Sequence, residues 1–198
     1  MPADFANMPV ASASWPTGRS LDGGLDQVPL PIRNGALWLC GKHLVGPDPE
    51  HALARVQATT MVCLTQRHEL ADRYPNYVDW LGRHGGEHGR ALWFPIPDLH
   101  APPLAEVRKF LDGLVSRLGR DERIVMHCAA GIGRAGTLAC CLLVLLGVEA
   151  AEARRIVAAS RPMAGPEAGP QQHLVDQMAG SGADATVGAG GDRPTVGP

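Results

Sequence analysis

The sequence predicts an α/β fold, with a central, mostly parallel sheet flanked by helices. Three observations carry this. Short apolar runs alternate with segments of helical pattern along the middle of the chain. The longest apolar stretch, Leu138 to Val148, is too short to cross a bilayer and reads as a buried helix. The composition, 45% apolar and 19% charged over 198 residues, is that of one globular domain with tails.

The elements follow in order. Residues 1–30 carry small residues and prolines without sustained periodicity, and are expected to be a mobile arm that docks through Trp15 or Leu25. Ala36–Cys40 is a first strand, and Asp48–Gln57 a helix with Pro49 in its first turn, where proline is tolerated. Thr60–Leu64 is a strand buried on both faces. Residues 69–84 are helical but interrupted at Pro75, and Ala91–Phe94 is a strand closed by Pro95 and Pro97. A helix begins at Pro102 or Pro103, with Leu104, Val107, Leu111, Leu114, Val115 and Leu118 on one face. Ile124–Met126 is a buried strand, followed by a glycine-punctuated loop and a helix over 134–146. Further helices are expected near 149–160 and 167–178. From Gly180 the chain is glycine-rich and poor in apolar residues, a disordered tail. The domain is therefore placed at 31–179.

Charge and cysteine usage narrow the partners. A net charge of −2 argues against a nucleic-acid binder with a broad basic face. The five cysteines, at 40, 63, 128, 140 and 141, show no CxxC spacing, so neither a disulfide framework nor a zinc site is expected. A reduced, cytoplasmic setting fits them. Residues 1–30 show no basic start followed by an apolar run, so no signal peptide and no membrane partner are expected.

The chemistry concentrates in His127-Cys128-Ala129-Ala130-Gly131-Ile132-Gly133-Arg134, between a buried strand and a helix. Ligands of open α/β sheets bind beyond the carboxyl ends of the strands. If this loop wraps into a cup, the amides of 129–134 point inward at the positive end of the helix dipole and form a nest for a tetrahedral dianion. Gly131 and Gly133 supply backbone angles and close approach. The Arg134 guanidinium closes the cup with two parallel hydrogen bonds to phosphate oxygens. Cys128, at the bottom among amide donors, is expected to ionise more readily than a free thiol and to act as a nucleophile toward phosphorus.

This loop resembles the signature of the cysteine-dependent protein tyrosine phosphatases, HCxxGxxR followed by Ser or Thr, and is closest to the small dual-specificity branch. Phe94-Pro95-Ile96-Pro97-Asp98 resembles that branch's movable acid loop. The resemblance covers about residues 31–178 and implies a protein tyrosine phosphatase-like fold. It implies a hydrolase that cleaves phosphomonoesters through a phosphocysteine, acting on phosphotyrosine and, with a shallow cup, on phosphoserine and phosphothreonine in proteins or peptides. It makes Asp98 the general acid of the first step and the general base of the second. Glu87, Glu167 and Asp79 are lesser candidates for that role, because their segments match no acid loop. His127 resembles the family's buried histidine, which supports the cup by hydrogen bonding. Gln171 or Gln172 could position the hydrolytic water, as a glutamine does in some relatives, although a solvated helix face is the favoured reading. No metal or organic cofactor is required, since cysteine, arginine, amides and aspartate cover every change of charge.

One departure bears on rate. Ala135 stands where the family carries Ser or Thr, whose hydroxyl eases departure of the thiolate. Breakdown of the phosphoenzyme is expected to be slowed, and Thr137 is not assumed to substitute. Ala129, Ala130 and Ile132 occupy cup positions where phosphoinositide-acting relatives tend to carry lysine, which favours a protein substrate over a lipid. Arg67 and His68 either flank the cup or form a solvated turn. Two rivals remain: a phosphate-binding module with little turnover, which would need neither Cys128 nor Asp98, and arsenate reduction or sulfur transfer on the same loop. Cys140 and Cys141 read as packing, and Cys63, usually just a buried strand cysteine, could approach Cys128 and form a disulfide on oxidation.

Overall fold

The computed structural model describes residues 23–86 and 88–187. Five strands form one sheet: β1 (Leu25–Val28), β2 (Ala36–Gly41), β3 (Thr60–Cys63), β4 (Ala91–Trp93) and β5 (Arg123–Cys128). Their spatial order is β1-β2-β5-β3-β4. The four strands from β2 to β4 run parallel, and β1 is antiparallel to β2 with Leu25 opposite Cys40 and Val28 opposite Leu37. The α/β class with a mostly parallel sheet is as the sequence predicts.

Strand periodicity divides the core in two. Leu37, Leu39, Val62, Leu64, Ile124, Met126 and Cys128 face one side. There they meet α5 (Leu104–Gly119), α6 (Gly133–Leu145), α7 (Ala150–Ser160) and α8 (Gly169–Val187). Trp38, Cys40, Met61, Cys63 and Val125 face the other side, toward α1 (Lys42–Val45), α2 (Pro49–Ala54), α3 (His68–Ala71) and α4 (Pro75–His84). Helix α5 shows the sequence logic plainly. Val107, Leu111, Leu114 and Leu118 are fully buried along one stripe, each contributing roughly 1.5–3 kcal/mol. Helix α6 is buried nearly all round, as its apolar run predicts, and among the described residues no helix is long and apolar enough to cross a membrane.

Three features differ from expectation. The domain starts before residue 31: β1 lies inside the stretch read as an arm, because the exposed edge of β2 gives its backbone a ladder that four weakly patterned residues could not announce. Trp15, Glu87 and residues 188–198 lie outside the described residues. At the other end α8 continues to Val187, so the stretch from Gly180 read as a disordered tail begins as helix. Helix α1, a single turn after β2, was also absent from the sequence pattern.

Candidate active site

β5 is the middle strand of the sheet, so its carboxyl end lies between the ends of β2 and β3. Cys128 closes that strand and is 3% exposed. The chain then wraps through residues 129–132 into the first turn of α6. The carbonyls of this loop are held by groups around it. Lys42 N–H donates to Ala129 O at 3.0 Å, and Arg161 Nη2 donates to Ala130 O at 2.6 Å. Ile132 O accepts from Gly136 N–H at 2.8 Å and Gly165 N–H at 3.3 Å. No peptide among the described residues is cis. In a trans peptide the N–H points opposite to the C=O, so the amides of Ala130, Gly131 and Gly133 turn inward. Inward amides at a helix N-terminus are the geometry the sequence predicts for this loop.

Gly131 is required by geometry. Its φ is +75°, and a Cβ there would stand 2.2 Å from Cys40 O and 3.0 Å from Arg161 Nε. At Gly133 a Cβ would stand 1.7 Å from Glu167 Oε2, so that carboxylate lies against the rim of the cup.

Arg134 is 2% exposed yet charged. Glu69, at the start of α3, accepts from Nη1 at 2.6 Å and Nη2 at 2.8 Å, and Nη1 also donates to Ile96 O at 2.9 Å. Glu69 is itself fixed by Gln66 N–H at 2.8 Å, and its carbonyl accepts from Lys42 Nζ at 2.9 Å. Burial would raise the Glu69 pKa, but hydrogen bonds from Arg134 and Gln66 and the charges of Arg134 and Lys42 outweigh it and bring it below 4.5. Burial likewise works against the charge on Arg134, and is outweighed by Glu69, Cys128 and Asp98, so its pKa rises above the ordinary value. The Nε–H is buried and has no hydrogen-bond partner. With Nη1 filled, Nε and the remaining Nη2 hydrogen form a second fork, the kind of donor pair a phosphate takes. Asp98 Oδ1 stands 3.2 Å from Nη2, while the Asp98 side chain is 68% exposed.

His127 is fully buried. Its Nδ1 lies 3.2 Å from Cys128 O, and its Nε2 lies 2.7 Å from Tyr77 OH. Burial pushes its pKa down to about 4, against the Cys128 carbonyl, which raises it, so the ring is neutral. A carbonyl only accepts, so Nδ1–H donates to Cys128 O and Nε2 accepts from the Tyr77 hydroxyl. Tyr77 thereby fixes the ring that holds the end of β5.

The predicted residues Cys128, Arg134 and Asp98 thus lie around the inward amides of Ala130, Gly131 and Gly133, with His127 buried beneath the loop. The other candidates divide. Gln171 is 1% exposed, not on a solvated face: its Oε1 accepts from Glu167 N–H at 2.9 Å and Thr137 Oγ1 at 3.3 Å, and its Nε2 reaches His100 O at 3.4 Å. Gln172 is exposed. Asp79 is exposed on α4, the helix that supplies Tyr77. Arg67 and His68 are exposed at the start of α3. Cys63 faces the core opposite to that of Cys128, its Sγ 3.2 Å from Thr65 Oγ1, so it is the buried strand cysteine that the sequence favours and the two thiols do not approach. Burial pushes the Cys63 pKa to about 11. Ala135 is fully buried, and Thr137 spends its hydroxyl on Gln171. Glu69, Tyr77 and Arg161 went unrecognised. The one signal was chemical: a buried arginine needs an anion beside it, and Glu69 follows β3 at the same sheet end as the cup.

Comparison with known proteins agrees with this geometry. Residues 38–179 match a family model described as the "Swiss Army Knife protein, DSP-PTPase phosphatase domain". The chain is 37% identical over 76 residues to the Arabidopsis thaliana "Phosphatidylinositol 3,4,5-trisphosphate 3-phosphatase and protein-tyrosine-phosphatase PTEN1", covering 37% of this chain and 18% of that protein. It thus spans less than a fifth of the curated relatives it matches. Among solved structures, kinase associated phosphatase superposes with a TM-score of 0.66 at 20% identity, covering 81% of this chain and 96% of that one. The active form of Tk-PTP gives 0.59 at 21% identity, with 78% and 97% covered.

Proposed function

Because the chain belongs to the dual-specificity branch of the cysteine-dependent protein tyrosine phosphatases and carries its hydrolase domain, we propose that it dephosphorylates phosphotyrosine, and also phosphoserine and phosphothreonine, in proteins or peptides. The observation that carries the roles is the second fork of Arg134, its Nε–H without a hydrogen-bond partner and its Nη2 3.2 Å from Asp98, at the loop that follows Cys128. In the first step the Cys128 thiolate attacks phosphorus, the bond to the leaving oxygen breaks, and Asp98 gives that oxygen its proton. Arg134 and the inward amides hold the equatorial oxygens throughout. In the second step water attacks the phosphocysteine, Asp98 takes its proton, the P–S bond breaks, and phosphate and thiolate are regenerated.

Ala129, Ala130 and Ile132 place no cation inside the cup, which favours a phosphoprotein over the multiply charged lipid headgroup named for the plant relative. The test is turnover of phosphotyrosyl and phosphothreonyl peptides beside phosphatidylinositol 3,4,5-trisphosphate, with Cys128→Ser as control. Peptide turnover abolished in the variant is expected. Preferential lipid turnover would overturn the substrate assignment, and wild-type turnover no greater than that of the variant would favour a binding module. The five cysteines, all buried and without CxxC spacing, support a reducing, cytoplasmic setting, which fractionation would check.

A further inference from the structure

Arg161 follows α7 and is 1% exposed, although it touches none of the reacting groups. Its guanidinium joins two distant parts of the chain. Nη2 donates to Ala130 O at 2.6 Å, while Nη1 reaches Gly23 O at 3.1 Å, Gly24 O at 3.3 Å and Asp26 Oδ2 at 2.5 Å. Asp26 is the second residue of β1 and supplies the counter-charge that a buried cation needs. A charged donor on a peptide carbonyl is among the stronger hydrogen bonds.

The peptide it grips is one that could turn over. The plane between residues 130 and 131 can rotate when the second residue tolerates both signs of φ, and Gly131, at φ +75°, does so. A rotated plane would withdraw one inward amide and present a carbonyl oxygen to the phosphate, replacing attraction with repulsion. We propose that Arg161, charge-balanced by Asp26, is a positioning residue that latches the 130–131 peptide with its N–H facing the substrate, and so makes the β1 segment part of the phosphate cup. The inference rests on the phosphatase reading of that cup. It also accounts for a charged side chain in the core at a position that the chemistry itself does not use.

The test is vanadate binding to the full chain, followed by 15N–1H spectra of the glycine amides. Arg161→Lys keeps the charge but cannot span both partners, and Asp26→Asn removes the counter-charge alone. Both are expected to weaken vanadate on the order of tenfold, the worth of one charged hydrogen bond. The Gly131 amide should lose its downfield shift on vanadate addition while the Gly133 amide, held through Ile132 O, keeps it. A structural role alone would shift thermal stability and leave the Gly131 response intact. Folded variants with wild-type affinity and an unchanged Gly131 response would overturn the latch, and Asp26→Asn decides if Arg161→Lys does not fold. A wild-type chain that does not bind vanadate at all would instead sink the cup.

Discussion

Asp98 and Arg134 are in contact: Oδ1 of the one stands 3.2 Å from Nη2 of the other, on the fork left free by Glu69 and Ile96. The carboxylate therefore occupies ground that a phosphate oxygen would claim. In the proposed mechanism a bound phosphate would displace this carboxyl group from Arg134 and leave it beside the leaving oxygen.

Asp98→Asn separates these two roles. The amide cannot donate a proton to the departing phenoxide as an acid does, so kcat on phenyl phosphate should fall by about 10²–10⁴. The fall should be smaller on p-nitrophenyl phosphate, whose leaving group needs less help. Vanadate affinity should not fall, because the competing charge has gone. Weaker vanadate binding would show that Asp98 organises the fork instead of competing for it.

Glu69→Gln tests the buried pair. It leaves Arg134 with a weaker, neutral partner and should cost about 1–3 kcal/mol of stability. Because the Glu69 pKa is lowered in the fold, its contribution is fully present above the unfolded value near 4.5 and is lost as pH falls through the lower folded value. Urea unfolding at pH 7 should separate variant from wild type, and the gap should narrow at pH 3. A gap independent of pH would mean that packing and not charge is at stake.

His127 gives stability a second acid limb. Its pKa falls from 6.5 to about 4 on folding, so the unfolded chain binds the proton more readily. Stability is full above 6.5, declines as pH drops from there toward 4, and levels below, an effect of roughly 3 kcal/mol. His127→Asn should flatten that limb in denaturation curves taken between pH 7.5 and pH 4. Tyr77→Phe, which strips Nε2 of its donor, should lower stability by about 1–2 kcal/mol without removing the limb.

Ala135→Ser restores a hydroxyl at the start of α6, where Thr137 is already committed to Gln171. Phosphoenzyme breakdown should accelerate on the order of tenfold, the value of one hydrogen bond to a leaving thiolate. The measurement is the pre-steady-state burst, which should shrink as steady turnover rises. An unchanged burst would mean that breakdown does not limit the rate.

The two cup glycines should respond differently to alanine. Gly131→Ala meets the Cys40 backbone at a left-handed φ and should cost about 3 kcal/mol or more. Gly133→Ala meets first the flexible side chain of Glu167, and its unfolding free energy should stay within about 1 kcal/mol of wild type. Equal losses in thermal denaturation would contradict the distinction.

What the sequence made legible follows a physical line. Strands β2, β3, β4 and β5 and helices α5 and α6 are announced by their own burial pattern, and Cys128, Arg134 and Asp98 by local motifs. β1 was invisible because its ladder comes from β2, and its four residues carry no strong alternation. Glu69, Tyr77 and Arg161 were invisible for a related reason. Each owes its role to a partner 65, 50 or 31 residues away, and spacing along one segment cannot encode that. Cys63 is the buried strand cysteine that its segment favours, since the period of the strand sends it and Cys128 to opposite faces.

The strand order has a consequence for how the molecule comes into being. β2 and β3 are successive in the chain yet share no ladder; the gap between them is filled by β5, some sixty residues later. A nascent chain that stops short of residue 123 holds two unjoined sheet fragments with bare edges. Folding must wait for a long loop to close, so the last strand to arrive serves as keystone and brings Cys128 with it.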